Sequence, residues 1–342
     1  MKNWTGRILP VVVATLCLAA AGCSNGTADS PNASSGGKSA AGDSAAFPVT
    51  IDSAVGKATI TARPERVVTI GWGSQDVALA LGVVPVGMQD MSGDTGDKTG
   101  ILPWDTPKLH GAKPQLLKYT TANVPYEQIA ALRPDVILAV DSGLTGAQYQ
   151  QLSHIAPTVG YPGKPWLTSW QDQLRLVGKA LGMSAKAATL ERSTDALIAD
   201  AKARHPEFSG RTVAFGSGTT GGSYNLYLSS DSRVQLLRQL GFTVSPSLPS
   251  RAKSFAAQLS LEKLDSVDSD VLVSWYLSKS VQRQLEDSTL FRRMPAVRRG
   301  GYVPLTDPAM VYATSAVSVL SLPWMLDRYL PLLSTAAKGK AS

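Results

Sequence analysis

The sequence predicts an α/β protein of two similar lobes with a ligand cleft between them, and three observations carry that prediction. The first is an internal repeat: Glu127-Gln-Ile-Ala-Ala-Leu-Arg-Pro-Asp135-Val-Ile-Leu138 and Glu262-Lys-Leu-Asp-Ser-Val-Asp-Ser-Asp270-Val-Leu-Val273. Each copy sets a Glu, branched aliphatics two and five residues on, and an Asp eight on that opens an apolar run. Offset by 135 residues, the copies read as a helix starting at an exposed Glu and feeding a buried strand, once per lobe. The second is size: about 295 residues follow Phe47, too many for one comfortable core and ample for two. The third is Ser169 to His205, where Leu174, Val177, Leu181, Leu190, Leu197 and Ile198 recur at helical spacing. That segment predicts a long helical connector with a break near Gly182-Met183-Ser184.

Residues 1–22 carry Lys2 and Arg7, no acid, and an apolar run from Ile8 to Ala21 that is too short for a stable transmembrane helix. They read as a signal peptide. Its end, Leu18-Ala-Ala-Ala-Gly22-Cys23, resembles the lipobox at which bacterial lipoproteins are cleaved and acylated on the Cys, with Ala20 where Leu is usual. The alternative is ordinary secretion with an idle cysteine; both readings export the chain. Residues 23–46 are mostly Ser, Gly, Ala, Asn, Asp and Thr, and predict a flexible tether. Cys17 and Cys23 are the two cysteines, so the folded part has no disulfide, thiolate metal site or thiol nucleophile. The net charge of +7 falls to +5 without Lys2 and Arg7, and the scattered basic residues form no nucleic-acid motif.

Val49 to Ala62 reads as an opening β-hairpin about Gly56-Lys57, followed by a buried strand Val67 to Ile70. Gly71 to Asp76 reads as a loop into a helix Val77 to Leu81, stopped by Gly82, with the next strand at Val83 to Gly87. Asp90 to Gly111, rich in Gly, Asp, Thr and Pro, predicts a long surface loop near the cleft. After the first repeat copy and its strand Val136 to Val140 come a helix Gln148 to Ile155 and the short Thr158 to Tyr161. The second lobe restarts with strand Thr212 to Phe215, a Gly-rich loop Gly216 to Ser223, helix Val234 to Leu240 and strand Phe242 to Val244. The second repeat copy precedes a helix Ser288 to Met294, a strand Tyr302 to Leu305 and a closing amphipathic helix Ala316 to Leu333.

Arg63-Pro-Glu-Arg-Val-Val-Thr-Ile70, Asp76-Val-Ala-Leu-Ala-Leu-Gly-Val-Val-Pro-Val-Gly87 and Tyr126-Glu-Gln-Ile-Ala-Ala-Leu-Arg-Pro-Asp-Val-Ile137 closely resemble the helical-backbone class of ABC-importer substrate-binding proteins. That class includes ferric-siderophore, haem and vitamin B12 receptors. The likeness runs from Phe47 to Leu333. It implies a class III periplasmic-binding-protein-like fold: a lobe over 47–167, a connecting helix over 168–206, a second lobe over 207–335 and a tail over 336–342, with small closure on binding. It further implies a monomer that is no enzyme and carries no cofactor, anchored through Cys23 outside the cytoplasmic membrane. Such a protein delivers its ligand to ABC permease subunits and through them to the ATPase. In the class one acidic residue per lobe docks to permease arginines, and Glu127 and Glu262 match those positions. From the residues alone, the two carboxylates equally complement a helix N-terminus.

Loops at the carboxyl ends of α/β strands face the cleft, which selects Trp72, Trp104, Tyr119, Ser142, Tyr224, Tyr227, Trp275, Tyr276 and Tyr312 as ligand-binding candidates, each with core packing as its alternative. Arg251 joins them as a counter-charge for an anionic chelate, against the alternative of a solvated surface arginine. His110, His154 and His205 have no ligand spacing, so iron is expected to arrive already chelated and no metal site is expected. Gly216-Ser-Gly is not a nucleophile elbow and its loop lacks a phosphate-binding Lys, which argues against an exported hydrolase or a nucleotide binder. Several aromatics with few cleft cations favour a near-neutral ferric hydroxamate over a triply anionic catecholate. Vitamin B12 and haem stand as alternatives in the class, and a surface sensor or adhesion lipoprotein as one outside it.

Overall fold

The computed structural model describes residues 47–95, 98–219, 222–248 and 255–339. The expected signal peptide, the tether with its Cys23, and Arg251 lie outside the described residues. Chain order within them opens with the hairpin β1 (Val49–Ser53) and β2 (Gly56–Ile60), antiparallel from Val49–Ile60 to Ser53–Gly56. It turns at Ala54-Val55 rather than at Gly56-Lys57. Gly56 instead lies under Tyr149, where a Cβ would stand 2.1 Å from the ring.

The first lobe follows as β3 (Val67–Thr69), α1 (Ser74–Ala80), β4 (Gly87–Gln89), α2 (Ser92–Thr95), β5 (Gln115–Leu117), α3 (Tyr126–Ala131), β6 (Val136–Leu138), α4 (Gly146–Ser153) and β7 (Thr158–Val159). Its sheet is wholly parallel in the order β5-β4-β3-β6-β7. Strand order therefore reverses between β3 and β6, and the crevice at their carboxyl ends is where such a sheet offers a binding site. Three expectations need correction. The first helix starts three residues early, at Ser74. The strand expected over Val83 to Gly87 begins only at Gly87, because Pro85 has no N–H for a ladder and Gly87 admits Leu132 at a distance no Cβ would tolerate. The expected surface loop 90–111 is instead tucked in: Met91, Leu102, Trp104, Asp105 and Leu109 are buried around α2 and a 3-10 turn at Thr106–Lys108.

The connector is two helices, α5 (Trp170–Ala180) and α6 (Ser184–Arg204), parted where the sequence broke pattern, with Gly182 at φ +65°. Ser169 caps α5 by accepting the Asp172 N–H, and Gly178 lets the helices meet, since a Cβ there would stand 2.5 Å from that of Ala187.

The second lobe comprises β8 (Thr212–Gly218), β9 (Ser223–Tyr227), α7 (Ser232–Gln239), β10 (Thr243–Val244), β11 (Ala256–Ser260), β12 (Val271–Trp275), α8 (Lys279–Asp287), α9 (Thr289–Arg292), α10 (Pro295–Arg299), β13 (Tyr302–Leu305), α11 (Pro308–Ser315) and α12 (Ser321–Lys338). The sheet runs β11-β9-β8-β12-β13, with β10 beside the start of β8. Here β8, β10, β12 and β13 pair in parallel, while β9 runs antiparallel to both its neighbours, β8 and β11. The expected Gly-rich loop is largely strand: β8 continues to Gly218 and β9 returns along it. Gly216 is required there because the Tyr224 ring covers it, 2.3 Å from where a Cβ would be. The closing helix, expected from Ala316, starts only at Ser321, and Ala316 to Leu320 separate it from a helix α11 that the sequence did not predict. Pro323 falls in the first turn of α12, where its missing N–H costs nothing, and α12 runs to Lys338 through the segment expected as tail.

The two repeat copies prove equivalent in detail. Glu127 and Glu262 are exposed while Ile129 and Leu264, two residues on, are fully buried. The first copy is the α-helix α3; the second is a 3-10 helix, Leu261–Ser266. Each repeated Asp locks its strand to the lobe's central one. Asp135 accepts the Glu65 and Arg66 N–H groups just before β3, and Asp270 accepts the N–H and hydroxyl of Thr212 opening β8. Alternate residues of the central strands face opposite ways: Val67, Val136, Val213 and Val271 join one core that also takes in α5, α6 and α12, while Val68, Ile137, Ala214 and Leu272 pack on the outer side of each sheet.

Candidate functional site

The site is built at the ends of β3 and β6 in the first lobe and of β8, β9 and β12 in the second. Gly71, at φ +78°, turns the chain out of β3. Its N–H donates to Gln89 Oε1 (3.1 Å), and a Cβ would stand 2.6 Å from the Asp141 carbonyl oxygen. The next N–H, of Trp72, donates to that carbonyl at 2.8 Å, so the two strand ends are laced together. Trp72, half-buried, then meets Trp166 at 5.0 Å between ring centroids and Tyr312 of α11 edge-on at 5.5 Å. Trp166 is held at φ +61°, close over Gly143, where a Cβ would fall 2.6 Å from the indole nitrogen.

From the second lobe comes Arg233, in the first turn of α7. Asp231 caps that helix through the Arg233 N–H (3.0 Å) and pairs with the guanidinium at 2.8 Å. The guanidinium also donates to Ser315 Oγ (3.1 Å) and lies 4.1 Å over the Tyr227 ring. Tyr227 in turn accepts the Trp275 indole N–H at 3.0 Å and stacks with Phe255, centroids 6.1 Å apart and planes 11° apart.

Between these groups sits Asp141, at the end of β6. It is buried, with Oδ1 accepting the Thr168 N–H at 3.2 Å, and the Thr168 hydroxyl donates to the Val140 carbonyl at 2.6 Å. Burial pushes its carboxyl up to about 7; the Thr168 bonds and the Arg233 charge pull the other way, and Asp231 adds to the rise. Asp231 is itself raised by burial, partly offset by Arg233.

Of the sequence-selected residues, the structure brings together Trp72 and Tyr312, and Tyr227 and Trp275. The others it packs elsewhere. Trp104 is buried against Trp324 of α12 (centroids 5.1 Å apart) and donates to Asp76 at 2.6 Å. Tyr224 is fully buried with its hydroxyl on Ser274, and Tyr276 is buried with its hydroxyl accepting from Tyr302 at 3.0 Å. Tyr119 lies in the outer core of the first lobe, its hydroxyl pushed up to about 12 by burial. Ser142 is buried and donates to the Ala139 carbonyl at 2.9 Å. Strand-end position alone did not separate these, because core and cleft aromatics alternate along the same loops. Arg233, Asp141, Trp166 and Thr168 escape a reading of the sequence. The signals available were Asp231 as a helix cap two residues before an Arg, and Asp141 directly beside Ser142.

The three histidines lie on separate elements: His110 follows the Thr106–Lys108 turn, His154 ends α4, and His205 ends α6 with Nδ1 3.0 Å from Glu207 and its ring stacked on Phe208. Among the described residues no three His, Cys, Asp or Glu side chains converge, and no helix is long and apolar enough to cross a membrane.

Comparison with known proteins adds four findings. A family model described as periplasmic binding protein matches residues 67–308. The chain is 27% identical over 305 residues to the ferric-citrate-binding protein YfmC of Bacillus subtilis, covering 88% of this chain and 90% of that one. It is 26% identical over 344 residues to YfiY of the same organism, described as a probable siderophore-binding lipoprotein, covering 96% and 97%. Among solved structures, PiaA of Streptococcus pneumoniae in complex with ferrichrome superposes with a TM-score of 0.78 at 33% identity, over 85% of this chain and 99% of that one.

Proposed function

Because the chain belongs to the periplasmic binding protein family, we propose that it is an extracytoplasmic receptor that captures a ferric siderophore of hydroxamate type and delivers it to an ABC permease for iron uptake. The observation that carries this reading is a cluster of aromatic side chains about a buried guanidinium at the strand ends of the two lobes: Trp72 against Trp166 and Tyr312, and Arg233 over Tyr227, which accepts the Trp275 N–H. Aromatic faces suit a ligand with an apolar body, and a guanidinium suits the oxygens of a chelated centre. The names of YfmC, YfiY and PiaA support iron chelates as the class. The hydroxamate assignment rests on charge: three hydroxamates balance one ferric ion, and the Arg233 guanidinium is already paired with Asp231.

The envelope setting follows from the export leader and from Cys23, with YfiY, matched along 96% of this chain, as a lipoprotein precedent. Glu127 and Glu262, exposed at equivalent places in the two lobes, serve as the permease contacts in this reading.

Titration of the purified protein tests it, using tryptophan emission as the readout. Ferric trihydroxamates are expected to quench Trp72, Trp166 and Trp275, and ferric ion supplied without chelator is not. Absence of quenching across hydroxamate, catecholate and carboxylate chelates removes the proposal.

A further inference from the structure

The described groups at the centre of the site carry an excess of negative charge. One guanidinium, Arg233, is opposed by two carboxylates, Asp231 from its own helix turn and Asp141 from the other lobe. All three are buried, at 6%, 1% and 5% exposure, so water screens them little. Asp231 is committed: it caps α7 and pairs with Arg233 at 2.8 Å, which already neutralises the guanidinium. Asp141 is therefore the surplus. Its Oδ1 accepts the Thr168 N–H at 3.2 Å and its carbonyl accepts the Trp72 N–H, so the residue is fixed at the base of the loop that carries the Trp72 indole. The other elements packed on it bring no further charge: Gly71-Trp72-Gly73 and Trp166-Leu-Thr-Ser169 contain no ionisable side chain. The charged groups acting on Asp141 are Arg233 and Asp231, both from α7.

We propose that Asp141 is a specificity-determining residue: it sets the cleft floor to a net negative charge, so that the receptor rejects anionic iron chelates and accepts neutral or cationic ones. This rests on the ferric-siderophore reading above and adds to it a rule about ligand charge. With Asp141 ionised the triad carries −1; with Asp141 protonated it carries zero. Among the described residues such a floor is negative or neutral, which penalises ferric tricatecholates and citrate chelates while leaving the neutral core of a ferric trihydroxamate unopposed. Because burial moves the Asp141 carboxyl to about 7, the penalty is full in mildly alkaline medium and relaxes as the medium acidifies.

The test uses one chelate in three charge states: a linear ferric trihydroxamate with a pendant amine (+1), the same amine acetylated (0), and the same amine succinylated (−1). The readout is the ratio of Kd values for the −1 and 0 forms. In the wild type at pH 8 the −1 form is expected to bind more weakly by on the order of tenfold or more. Asp141→Asn should shrink that ratio toward one. Without any substitution, lowering the wild type from pH 8 to pH 5.5 should shrink it as well, whereas in Asp141→Asn the ratio should stay flat with pH. The wild-type pH series keeps the test alive if the variant folds poorly, and the succinyl carboxylate stays ionised through most of that range. A wild-type ratio near one at pH 8, or a ratio that Asp141→Asn leaves unchanged, overturns the role of Asp141 while leaving the receptor reading intact. Failure of all three forms to bind overturns the hydroxamate reading itself, and the charge rule with it.

Discussion

At the scale of single residues, the notable feature outside the cleft is a second pair of buried acids. Asp76 of α1 accepts the Trp104 indole N–H and the Ser318 hydroxyl, and Asp105 lies nearby with neither oxygen partnered. Burial raises both; Asp76 reaches about 6 despite its two donors, and Asp105 goes well above the carboxylate range, helped by the Asp76 charge. The sign follows from linkage. A carboxyl whose folded pKa is raised binds protons that the unfolded chain has released, so stability is greatest near and below the unfolded pKa of about 4 and falls as pH rises. Asp141 acts in the same direction up to about pH 7. Asp105→Asn, which removes the titration and keeps the shape, is expected to raise Tm by about 4 °C at pH 8 and by less at pH 5, read by thermal unfolding across that range. A rise of equal size at both values contradicts the assignment. Glu207 works oppositely: the Ser334 hydroxyl, with His205, holds it down to about 2 against a burial effect, so its contribution is present above the unfolded pKa and fades in acid.

Among elements, the repeated Asp is the part of the pattern with the clearest mechanical role. Asp135 and Asp270 each tie the strand they open to the lobe's central strand through backbone N–H groups. Asp135→Ala and Asp270→Ala are expected to cost about 0.5–1.5 kcal/mol each in urea unfolding for the lost hydrogen bonds, with the larger loss at Asp270, whose Thr212 N–H is half-buried while the Glu65 and Arg66 N–H groups are exposed. Partial burial opposes ionisation of Asp270, but the Thr212 bonds with Arg211 and Arg299 outweigh it and hold that carboxyl low, so its share is lost as pH falls toward the acid range. Glycines fix the cleft elements. Gly143→Ala should displace the Trp166 ring, shifting its emission and weakening ligand binding by about tenfold.

What the sequence disclosed at this scale follows from periodicity. Val67, Val136 and Val271 announce strands because both faces are buried, giving unbroken apolar runs between breakers. Three segments were illegible for the converse reason. β11, Ala256–Ser260, has little apolar content and is only half-buried; α8, Lys279–Asp287, buries a single Leu285; α11 is apolar on all sides, so no stripe marks it as a helix. The cleft aromatics were half legible: Trp72 lies just past β3 and Trp275 ends β12, but Tyr276 directly after it is core, and only packing separates them. Arg233 looked like any arginine on a helix.

For the whole molecule, the two exposed glutamates lie on separate lobes but at matching places, so in the proposed reading they are the contacts for a permease of two similar subunits. Glu127→Ala with Glu262→Ala is expected to lower iron uptake in cells by tenfold or more, while leaving chelate affinity in vitro as in the wild type. Affinity falling in parallel with uptake assigns these side chains to the fold instead. The lobes themselves are joined by more than the connector. Trp104 packs on Trp324, Asp76 binds Ser318, and α2 lies against α11.

The core shared through α5, α6 and α12 has a thermodynamic meaning. Val67 and Val136 in one sheet and Val213 and Val271 in the other belong to a single apolar cluster, so neither sheet can lose its inner face without exposing part of the other's. The chain should therefore melt as one cooperative unit, with calorimetric and van't Hoff enthalpies equal, despite a length at which lobes commonly unfold in sequence. Chelate binding at the far side of that cluster would then raise a single transition temperature, which makes a simple melting curve a report on cleft occupancy.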